Sequence, residues 1–426
     1  MQSLEISEKP SPASQHGTVL SSYSVLCKSM IGSGIFSMAL ACAKFGIIPG
    51  VIALCFAAGL TWLSLHVLSI LALEYRSESP SFYSVSEKIM PRARWVVDVA
   101  LIINCFGAAV AYVMTSGTLM SAAISAIFHL ETSQSGLGKH HISMIVQAVM
   151  ILALAPLCML KEITATKIAN LVGLTCLLYI VIVTFCYTDV SRNTGNTSLL
   201  YPSSALAAMG SFPTFIFAFA CQQNVFPVAN ELKNASIRRL NVVCGASTAT
   251  GFLVYIPMAI LPFLTFGLGI KSNYLYNLDT DGSVDLPIII AYILASISVS
   301  ISYVLQVQPV RRSLISLIYG SQELSDKKER SVRILLVTVI MLTSYGLAVG
   351  IGEDLSLPIN VAGLLGGNTM CFVMPFSLYL RRYGLRWRRD SDRTIDWFKI
   401  AITAVLCICL ALYPICLTGI IYQALQ

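Results

Sequence analysis

Charge is scarce in this chain. Asp, Glu, Lys and Arg together make up only 12% of its 426 residues. A soluble domain of this length carries roughly a quarter of its residues as charge, so that class is excluded. Histidines number five, and no Ser/His/Asp set, carboxylate pair or phosphate-cradling loop occurs at usable spacing. Enzymatic catalysis therefore has no constellation to carry it. His66 reads as a hydrogen-bonded structural histidine, with a proton-relay role as the alternative, and His140-His141 as a solvated loop pair. The thirteen cysteines lie mostly inside apolar runs, with no paired loop spacing and no partnered CxxC. That removes a disulfide framework and a zinc site, and leaves them as small packing residues. Met1 to Gly17 lacks a basic start followed by an apolar segment and a cleavage site, so no cleaved signal peptide is expected. This short polar tail reads as disordered.

What is present is apolar length. Hydrophobic residues account for 56% of the chain and the mean hydropathy is +0.75. With about 20 apolar residues per crossing, the chain divides into about eleven spans: 18–45, 48–73, 95–127, 142–160, 165–187, 205–230, 241–267, 286–308, 332–351, 357–380 and 394–422. The expectation is an all-α integral membrane protein, one transmembrane unit over 18–426 after the 1–17 tail. The net charge of +7 concentrates in alternate loops, including Arg76 to Arg94, Lys233 to Arg239 and Arg311 to Arg333. That alternation is a topology signal, which puts the N-terminus in the cytosol and the C-terminus on the far side of a plasma or vacuolar/lysosomal membrane. It points to a lipid bilayer as the partner of the basic loops and leaves a nucleic-acid partner excluded. The sequon at Asn196 falls in a non-cytosolic loop and is open to glycosylation, whereas that at Asn234 falls on the cytosolic side.

Two spans are interrupted at membrane depth. The first reads KSMIGSGIF from Lys28 to Phe36, with Gly32-Ser33-Gly34 at its centre. The sixth runs from an apolar half ending at Phe219-Ala220 into Cys221-Gln222-Gln223-Asn224, then restarts through Phe226-Pro227 to Glu231. Broken backbone is tolerated in a bilayer only where it lines a cavity or faces a solute. Consecutive amide side chains at that depth must likewise face protein or water; the alternative is a kink whose amides satisfy one another across helices. Pro227 suits a first helical turn, where its missing N–H costs nothing.

The first and sixth spans open two consecutive sets of five, and breaks at corresponding positions of two halves point to an inverted-repeat transporter. The repeats are then about 18–187 and 205–380, with 394–422 as an extra helix. The half-helix starting near Gly34 offers N–H groups and a positive dipole end to a carboxylate. Carbonyls and amides from Ala220 to Gln223 accept from an ammonium. An α-amino acid carries both charges at that spacing. Candidate substrate contacts are Met30, Ile31, Gly32, Ser33, Gly34, Tyr112, Phe219, Ala220, Cys221, Gln222 and Gln223.

KSMIGSGIF with ACAKFGIIPGV after it, and FAFACQQNVFPVANELKN with Arg238-Arg239, resemble the two signatures of the amino acid/auxin permease family, relatives of LeuT-type transporters. The resemblance implies a LeuT-like 5+5 inverted repeat with broken helices 1 and 6, and a secondary transporter of amino acids, with neutral ones expected. It also implies alternating access, a bundle of spans 1, 2, 6 and 7 rocking against spans 3, 4, 8 and 9. Tyr112 is similar in placement to a tyrosine that closes over substrate; a plain interface aromatic is the alternative. Four positions depart from the family pattern. Ala39 replaces a common proline, Gln222 a common histidine and Thr118 an acid of the third span, while Lys28 stands where sodium-coupled relatives carry asparagine. An ammonium at Lys28 can replace a bound cation and repel a second one, or it can snorkel to the interface; Asp98 is a possible partner. Ser298 and Ser302 are the other ion-coupling candidates. The coupling ion is therefore expected to be H+ rather than Na+, with no other cofactor and no metal. The other function this resemblance leaves open is an amino acid sensor that signals with little flux.

Overall fold

The computed structural model describes residues 17–76, 80–128, 137–159, 166–189, 201–202, 204–278, 284–320, 325–384 and 396–425. Their regular structure is helical apart from one isolated bridge between Gly17 and Leu232. Gly17, assigned to the tail, donates its N–H to the Glu231 carbonyl and accepts from Lys233 N–H, each at 3.0 Å. The rest of that tail, Lys161 and the Asn196 sequon lie outside the described residues.

The chain opens with α1 (Val19–Met30) and α2 (Gly34–Phe45), two halves of one crossing bent by 55°. Thr18 starts α1 by accepting from Ser21 N–H. Gly46, at φ +80°, turns α2 into α3 (Ile47–Glu74); only glycine adopts that angle without strain, and a side chain would strike the Tyr201 backbone. A short helix too brief and polar for hydropathy to mark as a span, α4 (Phe82–Ile89), follows on the basic side. Then come α5 (Arg94–Ile127), α6 (Leu137–Cys158), α7 (Thr166–Cys186), and the second broken crossing, α8 (Ala205–Ala218) with α9 (Val225–Glu231). The rest is α10 (Ile237–Phe266), α11 (Leu286–Tyr319), α12 (Asp326–Ile351), α13 (Ser356–Val361), α14 (Met374–Tyr383) and α15 (Trp397–Ala424).

With α1–α2, α8–α9 and α13–α14 each taken as one crossing and the eight-residue α4 left out, the described residues give eleven passes. Nine helices are long and apolar enough to span, α1–α2 passes the same test as a bent pair, and α7 is shorter. This is an all-α membrane architecture broken at its first and sixth passes. Burial separates centre from rim: 78% of the most apolar stretch of the sixth pass is buried, against 22% for α15. The rim helices are as apolar as the core because lipid, not water, is their outer neighbour.

α5 and α11 form a long antiparallel rib. Ser116 bonds both Ser296 and Ser300 at 2.9 Å, so hydroxyls and small residues hold the pair where apolar burial against lipid gains nothing. α11 runs eleven residues past the limit hydropathy sets at 308, because Arg311 is buried and bonds Gln308 at 2.5 Å instead of ending the helix at water. His140-His141 lies in the first turns of α6 and not in a loop. His66 meets Asn241 at 2.9 Å and stacks on Trp62.

The tenth pass is not the uniform helix that 357–380 suggests. Between α13 and α14 it widens into two π-helical turns, Ala362–Gly367 and Thr369–Val373. Gly363 and Gly366 let neighbouring backbone press in, a Cβ at Gly366 falling 2.7 Å from Asn104 Cα. Ser64 donates to the Cys371 carbonyl, Asn368 to Cys409 at 2.8 Å, and Thr214 to Asn360 at 2.7 Å. These contacts hold a geometry that is rare in isolation.

Candidate substrate site

At the first break Ile31 leaves the helix at φ −86° and ψ 90°, and α2 restarts at Gly34. A helix start has four N–H groups without an intrahelical acceptor, so the restart presents donors at mid-membrane. The two glycines permit close approach: a Cβ on Gly32 would lie 2.6 Å from the Tyr112 hydroxyl, and one on Gly34 3.0 Å from Ala218 Cα. Tyr112 interacts there with the Ser33 backbone and the Gln306 side chain. Ala39 continues α2 without a break.

At the second break, Gln222 folds back so that its Oε1 accepts the Cys221 N–H at 2.9 Å. The next two amides reach across to α1, where Asn224 donates to Ser29 Oγ at 2.6 Å and Gln223 at 3.5 Å. The amides are thus partly satisfied across helices, yet Gln223 Oε1 and Gln222 Nε2 have no partner among the described residues. Pro227 falls in the first turn of α9.

One residue of α10 joins both breaks. The Tyr255 hydroxyl lies 2.7 Å from the Met30 carbonyl and 2.8 Å from the Ala218 carbonyl, the last residues of α1 and α8. Its single proton is shared between two carbonyls freed by the breaks. Its ring packs edge-on against Phe219, 5.2 Å between centroids.

Between the breaks lies a cavity of about 20 Å³. Ser29, Met30, Gly32 and Gly34 line it from the first pass; Phe217, Ala220 and Gln223 line it from the sixth. α5 closes the opposite side with Asn104, Ala108 and Tyr112, and α11 with Gln306. Of the residues expected from sequence, Met30, Gly32, Gly34, Tyr112, Ala220 and Gln223 meet at this cavity. Ile31, Ser33, Phe219, Cys221 and Gln222 sit in the breaks and are not among its lining residues. The sequence reading missed Ser29, Asn104, Ala108, Phe217 and Gln306. Asn104 was open to the rule that points to Gln222 to Asn224, an amide at membrane depth, and so was Gln306, which lies inside the 286–308 span.

Lys28 stands apart from the cavity. It is buried, and its Nζ donates to Ser298 Oγ at 3.4 Å; Ser298 in turn donates to the Gly173 carbonyl at 3.4 Å. A Cβ on Gly173 would fall 2.8 Å from Nζ, so the lysine occupies room that a glycine on α7 leaves. Asp98 is not its partner, since that carboxylate accepts from Ser316 at 2.9 Å. Ser302 is turned to its own helix, bonding the Ser298 carbonyl at 2.9 Å, and Thr118 bonds the Met114 carbonyl of α5 at 2.8 Å.

Residues 15–421 match the family described as transmembrane amino acid transporter protein. The chain belongs to that family. Among its relatives, vacuolar amino acid transporter 5 of Schizosaccharomyces pombe is 28% identical over 83% of this chain and 82% of its own length. The Saccharomyces cerevisiae protein named vacuolar amino acid transporter 5 is 23% identical over 88% of this chain and 91% of its own. Amino acid transporter AVT6E of Arabidopsis thaliana is 26% identical over 90% and 80%. In fold, the chain is similar to MhsT, solved in complex with L-phenylalanine, at a TM-score of 0.61 and 14% identity, covering 94% of this chain and 98% of that one. Amino acid transport is thus the assignment for this multi-pass family member, and the shared fold is that of LeuT-type transporters.

Proposed function

We propose that this family member carries neutral amino acids by alternating access, coupled to protons, in an acidic-organelle membrane of the vacuolar kind, with its N-terminus in the cytosol. One observation carries the substrate class: among the described residues, none that lines the cavity between the breaks bears a charge. A cationic or anionic side chain would find no counter-charge there, and an unpaired charge at that depth is costly. A zwitterion suits the site because its carboxylate takes N–H groups at the start of α2 and its ammonium takes oxygens near Ala220 and Gln223. The bundle carrying α1–α2 and α8–α9 then rocks against the α5–α11 rib.

Lys28 supports the choice of ion. Its ammonium already lies between α1, α7 and α11, and a sodium ion about 4 Å away would be repelled by about 4 kcal/mol at an effective dielectric near 20. The titratable groups beside it are the Cys27 and Cys176 thiols, and no described carboxylate pairs with it. The yeast relatives named as vacuolar transporters support the membrane, and the basic alternate loops support the orientation.

The test is flux of a labelled amino acid panel in proteoliposomes under imposed pH and sodium gradients. Neutral amino acids should move, respond to the pH gradient and continue in sodium-free medium. Loss of transport on sodium removal would overturn the proton reading.

A further inference from the structure

We propose that the neighbouring ends of α6, α11 and α12, with Arg311, Lys327, Arg330 and Arg333, form a binding site for a membrane lipid with a phosphomonoester headgroup. None of these residues lines the cavity between the breaks. α12 starts with Lys327, Arg330 and Arg333 at three-residue spacing, which puts the three cations on neighbouring turns of one side of the helix. Arg311 of α11 lies against that row. Arg312 and Arg333 act on it as like charges and Glu329 as an opposite one, with the Cys158 thiol of α6 beside it.

Loop cations that only set topology extend into water, and these do not all do so. Arg311 is 4% exposed and donates to Gln308 Oε1 at 2.5 Å. The Arg333 side chain is 17% exposed, 3.7 Å from Glu329, which is beyond hydrogen-bond length. Its Nε is buried and has no partner among the described residues. Like charges gathered at a helix junction repel unless an anion joins them. A phosphomonoester brings about −1.5 to −2 of charge and three acceptor oxygens, and guanidinium forks match such a group two bonds at a time. The anion belongs to a lipid because the basic row ends at apolar outer surface. Ile334 and Leu335 of α12 and Leu157 of α6 are all exposed there. The two helices run antiparallel and meet again where the Tyr345 hydroxyl donates to the Met144 carbonyl at 3.5 Å. A headgroup at the arginines therefore leaves its chains along α6 and α12, in the leaflet on the side of the basic loops.

The experiment follows the melting temperature of the delipidated full-length protein in detergent. The probes are short-chain phosphatidic acid, phosphatidylinositol monophosphate, phosphatidylserine and phosphatidylcholine, with inorganic phosphate as the soluble arm. The two phosphomonoester lipids should raise the melting temperature by at least about 2 °C at a concentration where the other probes do not. Arg333→Gln should abolish that gain. So should Lys327→Gln with Arg330→Gln, a pair of exposed residues that keeps the test open if the inner variant does not fold. Arg238→Gln with Arg239→Gln, at the basic start of α10, should retain the gain. No gain from either phosphomonoester lipid would overturn the proposal. An equal gain from phosphatidylserine, or an equal loss in the α10 pair, would mark general attraction to anionic lipid and overturn it as well. An equal gain from inorganic phosphate would make this a free-phosphate site and reject the lipid.

Discussion

The Tyr255 hydroxyl shares one proton between the Met30 carbonyl at 2.7 Å and the Ala218 carbonyl at 2.8 Å, so a side chain on α10 completes the ends of both broken crossings. Without that hydroxyl two buried carbonyls lose their donor, at about 1–3 kcal/mol. Tyr255→Phe should lower the melting temperature of the detergent-purified protein and slow uptake about tenfold. An unchanged melting temperature and rate would show that water or backbone replaces the phenol.

Gly173 and Lys28 make a coupled pair. Gly173→Ala places a methyl 2.8 Å from Nζ and should displace the lysine from Ser298. If the damage acts through the lysine, adding Gly173→Ala to Lys28→Ala should cost little more than Lys28→Ala alone, a strong non-additivity. Independent losses in the double variant would separate the two positions.

Lys28→Asn removes the ammonium between α1, α7 and α11. Its uptake should no longer accelerate under an imposed pH gradient, measured beside the unmodified protein in sodium-free vesicles. A retained pH response would place the coupling proton elsewhere.

Gly34→Ala should reduce uptake at least about tenfold, because the added methyl meets Ala218 Cα at 3.0 Å and pushes α2 from α8. Gly59→Ala is the control. A Cβ there meets nothing within 4 Å, and the exchange should leave uptake unchanged. Equal effects at the two glycines would rule out close approach as the reason for Gly34.

Both breaks were legible in the sequence because each has a local signature. Glycine-serine-glycine and a row of amides cannot pass as ordinary lipid-facing helix, and each lies within a few residues of the structural interruption. Features made by distant segments were not legible. Tyr255 looks like any aromatic in an apolar helix, and its role depends on two carbonyls on other passes. Gly173 gains meaning only when Lys28 arrives against it. The π-helical turns of 362–373 need partners from α3, α8 and α15, so 357–380 read as a plain span. Arg311 and Arg312 suggested that α11 was leaving the membrane, although Arg311 is buried. Asn104 shows a different failure, since it is a lone amide in an otherwise apolar stretch, whereas Gln306 sits two residues from Gln308 and just before Arg311-Arg312.

The eleventh crossing has a consequence for how the surroundings reach the substrate. α15 meets α8 almost backbone to backbone, a Cβ on Gly419 falling 2.7 Å from Gly210 Cα. Gln423 then bonds the Ala207 carbonyl at 2.5 Å and Ser211 at 3.0 Å, and accepts from Lys44 of α2 at 3.0 Å. The most outward-facing helix is therefore fastened to the starting half of the sixth pass and to the end of the first. Bilayer thickness or lateral pressure that tilts α15 arrives at these halves as torque, which makes a helix with no contact to the cavity a mechanical input to it.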